Sequence, residues 1–392
     1  MVEFFAILLP VAAASGWWAA KRSLGTTRVG ARPYDVDPAY FRGLNYLVNE
    51  QPDKAIDIFV RMLEVNSETV ELHLTLGNLF RRRGEVDRAI RIHQNLIARP
   101  TLSRPQRAQA LLELGRDYLR AGLLDRAEGL FNELVELGQQ VRPALKNLIV
   151  VYQHEKDWEK CLEASRKLVE LGDRAQRREQ AHYYCELAEE AIGAANTGQA
   201  ADLLEKARAT DPTGPRPLLM QAELARSTAH YDEAIGLYQR VGAQQPIYAD
   251  EVVEPLARCF EALGQFEQWQ LYLREQYERR PSLPVMLAIA EDIQRDDGDA
   301  AALVFVSRHL EASPSLRGLE RLIDLRLGEL GAGRAEFVAL LHDLVGRLAA
   351  GIPSYRCHRC GFSARTLHWQ CPGCRGWGTM HPYPSSNNKE SP

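Results

Sequence analysis

A 34-residue period runs through most of this chain and restricts its fold more than any other feature. Small residues recur at this step, each usually followed four positions later by a larger residue, as in Ala55/Phe59 and Ala234/Tyr238. The small-position residues are Ala55, Ala89, Ala127, Cys161, Ala200, Ala234, Gln268 and Ala302. This period is typical of helix-turn-helix repeats, in which each helix pair buries its apolar face only by stacking on its neighbours. The sequence therefore predicts a helical repeat array.

Further positions resemble tetratricopeptide repeats over residues 36–315. Twelve residues before the small residue, five repeats have another small residue that would let two helices pack closely: Gly43, Gly77, Gly115, Ala188 and Ala222. Prolines at 212, 246 and 314 would end second helices, because proline breaks the helical hydrogen-bond ladder. The expected fold class is all-α: a superhelical solenoid over residues 36–350, with about eight repeats plus extra helices. Two longer steps predict longer loops at residues 101–106 and 173–180.

Stacked helix pairs expose a concave face lined by the first helix of each repeat, and such faces bind peptides or domains. Basic and amide side chains are expected there, where they would hold carboxylates through charge-assisted hydrogen bonds. These candidate partner-binding residues are Asn78, Arg81, Arg82, Arg116, Arg120, Lys146 and Asn147. The alternative is that residues 81–83 form only a solvated helix end.

The N-terminus carries seventeen uncharged residues, Phe4 to Ala20, followed at once by Lys21 and Arg22. A helix of this length spans about 25 Å, at the short end for a bilayer. The positive charge lies after the apolar stretch, which opposes a cleaved signal peptide and places the rest of the chain in the cytoplasm. We therefore expect residues 1–22 to be a single transmembrane anchor.

Two Cys-x-x-Cys pairs lie near the C-terminus, Cys357/Cys360 and Cys371/Cys374, separated by ten residues. Four thiolates at this spacing can surround one metal ion, zinc or iron, in a module spanning residues 353–383. The aromatic side chains Phe362, Trp369 and Trp377 would cover the site. His358 and His368 are alternative ligands, although four cysteines already complete the shell. Residues 384–392 have the composition of a disordered tail.

Composition argues against several function classes. The net charge of −4 gives no general attraction to nucleic acid, so no nucleic-acid partner is expected. The sequence contains no convincing nucleophile–base constellation, and a closed four-cysteine shell has no open position for a catalytic water. Cys161, Cys185 and Cys259 stand alone and are expected to be buried structural thiols. The protein is therefore predicted not to be an enzyme. The alternatives are an iron-binding redox protein and a zinc ribbon that binds nucleic acid.

An apolar N-terminal stretch, a tetratricopeptide array and a C-terminal four-cysteine knuckle occur here in one chain. This combination resembles the lipopolysaccharide assembly protein B family of Gram-negative bacteria. The resemblance rests most specifically on Cys357, Cys360, Cys371, Cys374 and the stretch FFAILLPVAAASGWW.

The resemblance implies a non-enzymatic inner-membrane adaptor facing the cytoplasm. In that family, the protein helps a membrane-anchored AAA+ protease to degrade the deacetylase that commits precursors to lipid A. The family's rubredoxin-like knuckle is held against the repeats and is needed for activity. The implied partners are thus the protease and proteins of lipopolysaccharide synthesis, and homo-oligomerisation is left open.

Overall fold

The computed structural model describes residues 17–18, 38–49, 51–65, 70–327 and 332–383. The predicted anchor therefore lies outside the described residues, except for Trp17 and Trp18, whose side chains are exposed. Within the described ranges, no helix combines the length and apolar composition needed to cross a bilayer. The predicted disordered tail also lies outside these ranges.

Helices account for nearly all of the described chain before residue 352. They are α1 (Pro38–Val48), α2 (Pro52–Val65), α3 (Val70–Arg83), α4 (Val86–Ile97), α5 (Arg104–Arg120), α6 (Leu124–Glu136), α7 (Val141–Glu155), α8 (Trp158–Glu170), α9 (Gln176–Gly193), α10 (Thr197–Thr210), α11 (Pro215–Ser227), α12 (Tyr231–Gln244), a 3-10 segment (Pro246–Val252), α13 (Val253–Leu263), α14 (Phe266–Arg279), α15 (Leu283–Asp297), α16 (Asp299–Ala312), α17 (Leu316–Leu327) and α18 (Ala332–Gly351).

The chain divides into two compact units, residues 1–130 and 131–392. In the first unit, α1 packs against α2 and α3 packs against α4. In the second, α7 packs against α8, α9 against α10, α11 against α12, α15 against α16 and α17 against α18. The predicted helix pairs of a tetratricopeptide-like array are thus confirmed.

In the first unit, close packing between paired helices explains why the first helix of a repeat carries a glycine. A Cβ atom added to Gly43 would lie 2.4 Å from a ring carbon of Phe59. A Cβ atom on Gly77 would lie equally close, at 2.4 Å, to Nε2 of the buried His93. Real Cβ contacts do not reach these distances, so the 34-residue pattern of small residues follows from the close approach of the paired helices.

The predicted register of the seventh repeat is wrong by one residue. Gln268 is exposed, whereas Trp269 and Leu273 are 6 % and 1 % exposed and pack into the core of the second unit. Trp269 is the fourth residue of α14, as Ala234 is of α12. An indole therefore occupies the position that is small in the other repeats, which hides the register from a search for small residues.

The two longer repeat steps do not form long loops. Helix α5 begins at Arg104 and α9 begins at Gln176, so much of each insertion lengthens a first helix. At α5, the Ser103 side chain accepts from the Gln106 backbone N–H while the Gln106 side chain accepts from the Ser103 N–H. This capping box satisfies two otherwise unpaired donors and fixes the early start of the helix.

The C-terminal module contains a three-stranded antiparallel sheet. Its strands are β1 (Tyr355–Cys357), β2 (Ser363–Ala364) and β3 (Met380–Pro382), in the order β2-β1-β3. Strand β1 is the central strand and pairs with a neighbour on both sides. Its last residue is Cys357, the first cysteine of the site.

A four-cysteine metal centre docked on the first helices

The four cysteines predicted from the sequence come together in the structure. The Sγ atoms of Cys357, Cys360, Cys371 and Cys374 all lie within 4.8 Å of one another. Cys357 and Cys374 are 3.7 Å apart between their sulfurs, and Cys360 and Cys371 are also 3.7 Å apart. Two thiolates bound tetrahedrally to one zinc ion at about 2.3 Å would be about 3.8 Å apart, whereas a disulfide measures about 2.05 Å. The donor set therefore fits one metal ion.

Both Cys-x-x-Cys pairs are closed by the same turn. The Gly361 N–H donates to the Cys357 carbonyl at 2.9 Å, and the Arg375 N–H donates to the Cys371 carbonyl at 2.8 Å. The two donor residues also share a left-handed backbone, with φ of 77° at Gly361 and 55° at Arg375. This repeated turn brings the two thiols of each pair to one side of the chain. Only the first turn has glycine at the left-handed position, which favours glycine on steric grounds.

Close backbone approach shapes the second turn. A Cβ atom on Gly373 would lie 3.2 Å from the Phe362 Cβ and 3.4 Å from the Cys360 sulfur. Phe362 thus lies beside the centre, as expected. Trp369 and Trp377 were expected to cover the site as well, but their rings pack against the repeats instead.

Hydrogen bonds favour the thiolate form at Cys357. Burial raises its pKa, but the Thr379 hydroxyl and the backbone N–H groups of Cys360 and Arg359 outweigh that effect and lower the pKa to about 6. A thiolate is the metal-binding form of cysteine. His358 and His368 do not belong to the ligand cluster found among the described residues. The His358 ring packs on His381 instead, with centroids 4.8 Å apart.

Trp377 carries the main aromatic contact between the module and the repeats. Its ring stacks on His182 of α9, with centroids 5.1 Å apart and an interplanar angle of 23°. Trp158 and Tyr183 meet the same indole edge-on, at 6.0 Å and 5.8 Å. Aromatic pairs prefer such offset and edge arrangements. The cluster therefore fixes the orientation of the module as well as its position.

Arg216 on α11 is buried beneath the two tryptophans of the module. It is 1 % exposed, and its guanidinium carbon lies 5.8 Å from the Trp377 ring and 5.9 Å from the Trp369 ring. Its Nη2 donates to carboxylates of Glu186 and Glu189, each at 2.8 Å. A charge this deeply buried is tolerated because it has two carboxylate partners and two aromatic faces.

Packing against the module also favours the neutral form of His182. Burial, followed by the nearby Arg216 charge, lowers the pKa of His182 to about 3. Burial also raises the pKa values of the Glu179 and Glu186 carboxyls on the same helix. The contact surface therefore favours a neutral imidazole and penalises ionised carboxylates.

Hydrogen bonds surround this aromatic centre. The Tyr355 hydroxyl lies 2.8 Å from both carboxylate oxygens of Glu251, to which it donates. The Gln370 side chain donates to the Gln153 side-chain oxygen at 3.2 Å. The Tyr248 hydroxyl donates to the Met380 carbonyl at 3.3 Å. The module thus contacts α7, α8, α9, α11 and the 3-10 segment.

Sequence reasoning did not identify Trp158, His182 or Arg216 as part of this site. One signal was available for Arg216, the second residue of α11. A cation in the first turn opposes the helix dipole, so its presence calls for a compensating partner. Neither aromatic residue carried a comparable local signal.

Several candidate partner-binding residues already have partners within the chain. Arg81 donates to Glu113 and Asp117 at 2.7 Å and 2.8 Å, and Arg116 donates to Glu113 at 2.8 Å. Lys146 pairs with Asp173 at 2.9 Å, and the Asn147 amide donates to the Pro143 carbonyl at 2.8 Å.

Arg82 on α3 and Arg120 on α5 are exposed. Asn78 is partly buried and accepts from Arg81 at 2.6 Å. Of the seven candidates, Lys146 and Asn147 lie in the second unit and the other five lie in the first.

The fold and the site together define a tetratricopeptide-repeat protein with a rubredoxin-like, four-cysteine metal module. Family models agree: one described as a rubredoxin metal binding domain matches residues 355–382, and one described as a tetratricopeptide repeat matches residues 40–100 and 74–141. Lipopolysaccharide assembly protein B of Escherichia coli K12 is 40% identical over 97% of this chain and 98% of its own length. Its Haemophilus influenzae counterpart is 35% identical over 97% and 98%. The chain belongs to the lipopolysaccharide assembly protein B family.

Among solved structures, the crystal structure of MamA matches 43% of this chain and 94% of its own, at 20% identity and a TM-score of 0.34. The Naa15/Naa10 complex bound to HypK-THB matches 81% of this chain and 47% of its own, at 14% identity and a TM-score of 0.43. These low scores support no argument about function.

Proposed function

We propose that this protein is a non-enzymatic inner-membrane adaptor that regulates lipopolysaccharide biosynthesis. In this proposal it presents the deacetylase that commits precursors to lipid A to a membrane-anchored AAA+ protease. Residues 1–22 tether the chain to the membrane, and the repeats face the cytoplasm. Membership of a family whose relatives are named for lipopolysaccharide assembly supports the pathway, since the match covers 97% of the chain.

The observation that carries the adaptor role is the placement of the metal module. Its two tryptophans and strand β3 pack on the first helices and the 3-10 segment. In this proposal the same first helices line the face that binds partners, so the metal module supports that face. All four donors around the centre are protein thiols. Four protein ligands complete a tetrahedral shell and leave no position for substrate or water.

The metal acts here as a fold determinant. Cys357, Cys360, Cys371 and Cys374 would hold one zinc or iron ion, whose chemistry is to fix two turns in a segment too small for a core of its own. The chain's own residues perform the remaining task. Trp377 and Trp369 enclose Arg216, and Tyr355 anchors the module to Glu251.

Clients are proposed to bind the exposed part of the first-helix face. Asn78, Arg82, Arg116, Arg120, Lys146 and Asn147 remain the candidate contacts for acidic groups of a client. Arg82 and Arg120 are the best placed of these because their side chains are exposed. An Arg82→Glu/Arg120→Glu double variant should bind clients less strongly while its helical content stays unchanged.

Crosslinked pulldown from membranes tests the proposal. Wild-type protein should retain the protease and the deacetylase, whereas a Cys371→Ser variant should lose at least one of them. A Cys259→Ser variant is the matched control, because Cys259 is a buried thiol outside the metal cluster. Absence of both partners from the wild-type pulldown would contradict the adaptor role. A redox or nucleic-acid function would instead require a reversible iron couple or salt-dependent nucleic-acid binding.

A further inference from the structure

Helix α18 exposes an apolar stripe that helices of this kind normally bury. Leu340, Leu344 and Leu348 recur every four residues and are 54 %, 42 % and 62 % exposed. Leu341 widens the stripe and Ile352 extends it just past the end of the helix at Gly351; their side chains are 38 % and 37 % exposed. Residues at this spacing lie on one side of a helix, and an apolar stripe about 100° wide usually faces a core. We call these five residues the α18 stripe.

His342 and Gly346 lie on the side of α18 that faces its neighbour α17. His342 contacts Asp324 at 2.9 Å and Glu320 at 4.0 Å. A Cβ atom on Gly346 would lie 3.0 Å from the Glu320 carboxylate. The helix therefore directs His342, Gly346 and the buried Ala349 inward, and it exposes its leucines together with Asp343 and Arg347. The final helix of a repeat array ordinarily has a polar outer face, because no further repeat covers it.

The pattern of the stripe is self-complementary. A two-fold axis through Leu344, relating two antiparallel α18 helices, would place Leu340 of one copy opposite Leu348 of the other. Such an axis brings the same flank of both helices together. Asp343 and Arg347 share one flank and form an ion pair 2.7 Å long within the chain. Each copy would then offer its acid to the arginine of the other.

The charges around the stripe do not favour a membrane as its occupant. Helices that lie on a lipid surface carry many basic residues on their polar face. Beyond residue 337, the polar residues of α18 are His342, Asp343 and Arg347, in which one acid balances one arginine. We propose that the α18 stripe is the interface of a homodimer of this chain.

Mass measurement of the full chain in detergent, by light scattering after size-exclusion chromatography, tests this proposal. The wild type should be a dimer, and a Leu344→Glu variant should be a monomer with an unchanged circular dichroism spectrum. Leu271→Glu is the matched control, because Leu271 is similarly exposed, at 61 %, on α14 and lies outside the stripe. This variant should remain a dimer. A monomeric wild type, or a Leu344→Glu variant that stays dimeric, would overturn the proposal. In either case another occupant, such as the chain's own N-terminal segment or a different protein, would have to cover the stripe.

Oxidative crosslinking supplies a second readout. A residue on the two-fold axis lies opposite the same residue of the second chain. A Leu344→Cys variant should therefore form a disulfide-linked dimer under mild oxidation. A Leu271→Cys variant and the wild type control for the native cysteines and should give several-fold less product. Equal crosslinking at both introduced positions would also count against the proposed interface. Neither readout depends on the pulldown of clients, so failure of the dimer and failure of the adaptor function can be told apart.

Discussion

Trp377 of the metal module stacks on His182 of α9, with ring centroids 5.1 Å apart, and this pair connects the metal centre to the repeats. The two residues are 195 positions apart in the chain. Their contact joins a metal-dependent turn to a first helix of the array. Unfolding of the turn should therefore destabilise the helix around His182, and disruption of that helix should destabilise the turn.

Truncating the indole should loosen the docked module. A Trp377→Ala change removes the ring that touches His182, Trp158 and Tyr183, and large-to-small changes of buried aromatics cost about 3–5 kcal/mol. Because Trp377 is only partly buried, we expect about 2 kcal/mol, measured as faster hydrogen exchange across residues 353–383. Phe362→Ala is the control, since Phe362 is 37 % exposed beside the metal centre. If the two variants exchange alike, the indole does not hold the module in place.

Removing the buried guanidinium should destabilise the contact in a pH-dependent way. Arg216→Met leaves Glu186 without its partner, and breaking a buried pair costs about 3–5 kcal/mol. We expect about 2 kcal/mol in chemical unfolding at pH 7, because Glu189 is half exposed and keeps its hydration. The defect should shrink as the pH falls, because burial raises the pKa of Glu186 and the unpaired carboxyl then binds a proton more readily.

Arg258→Met is the matched control for this variant. Arg258 pairs with Glu254 on the surface, where both side chains are largely exposed, and such pairs contribute about 0–1 kcal/mol. A defect of similar size in both variants would show that burial of Arg216 has no special weight.

Acidification should weaken docking through His182. Its pKa is about 3 when docked, against about 6.5 when exposed to water, so only the undocked state takes up a proton as the pH falls below about 6.5. Docking should therefore lose up to about 1.4 kcal/mol per pH unit from this residue. The raised pKa values of Glu179 and Glu186 act in the opposite direction, because those carboxyls bind protons more readily when docked.

The His182 contribution can be isolated by comparing slopes. Hydrogen exchange of the module between pH 8 and pH 6 should depend more steeply on pH in the wild type than in His182→Asn. The metal and carboxylate effects are common to both proteins and cancel in the comparison. Identical slopes would mean that docking does not change the pKa of His182.

Two glycines of the module form a matched pair. Gly378 and Gly361 both have left-handed backbones, with φ of 59° and 77°, so alanine at either costs about 1–2 kcal/mol. A Cβ atom at Gly378 would also lie 3.3 Å from Nε2 of His182, whereas at Gly361 the nearest atom is 3.8 Å away. Thermal unfolding should therefore show a larger loss for Gly378→Ala than for Gly361→Ala. The reverse order would contradict the close approach of this turn to α9.

The sequence predicts the helix pairs well because close packing enforces a small residue at one position of each repeat. It misplaces the seventh repeat because Trp269 occupies that position. It also predicts the four metal ligands, since Cys-x-x-Cys spacing is a local constraint. It does not predict the docking surface, because Gln370 meets Gln153 from 217 residues away and no local period records such a contact.

The basic first-helix residues illustrate a second limit. Arg81 is predicted from one repeat alone as a client contact, yet its carboxylate partners Glu113 and Asp117 lie on the first helix of the next repeat. Ion pairs between neighbouring repeats use residues 32 to 36 positions apart, which a helix-by-helix interpretation overlooks.

We propose that the metal holds the module against the first helices and has no catalytic role. Hydrogen exchange of the full chain, with and without a chelator, tests it most directly. Removing the metal should accelerate exchange in the module, around His182 on α9 and in the 3-10 segment Pro246–Val252, while α3 and α4 stay protected. A Cys371→Ser/Cys374→Ser variant should reproduce this pattern. Unchanged protection of α9 after metal loss would contradict the claim.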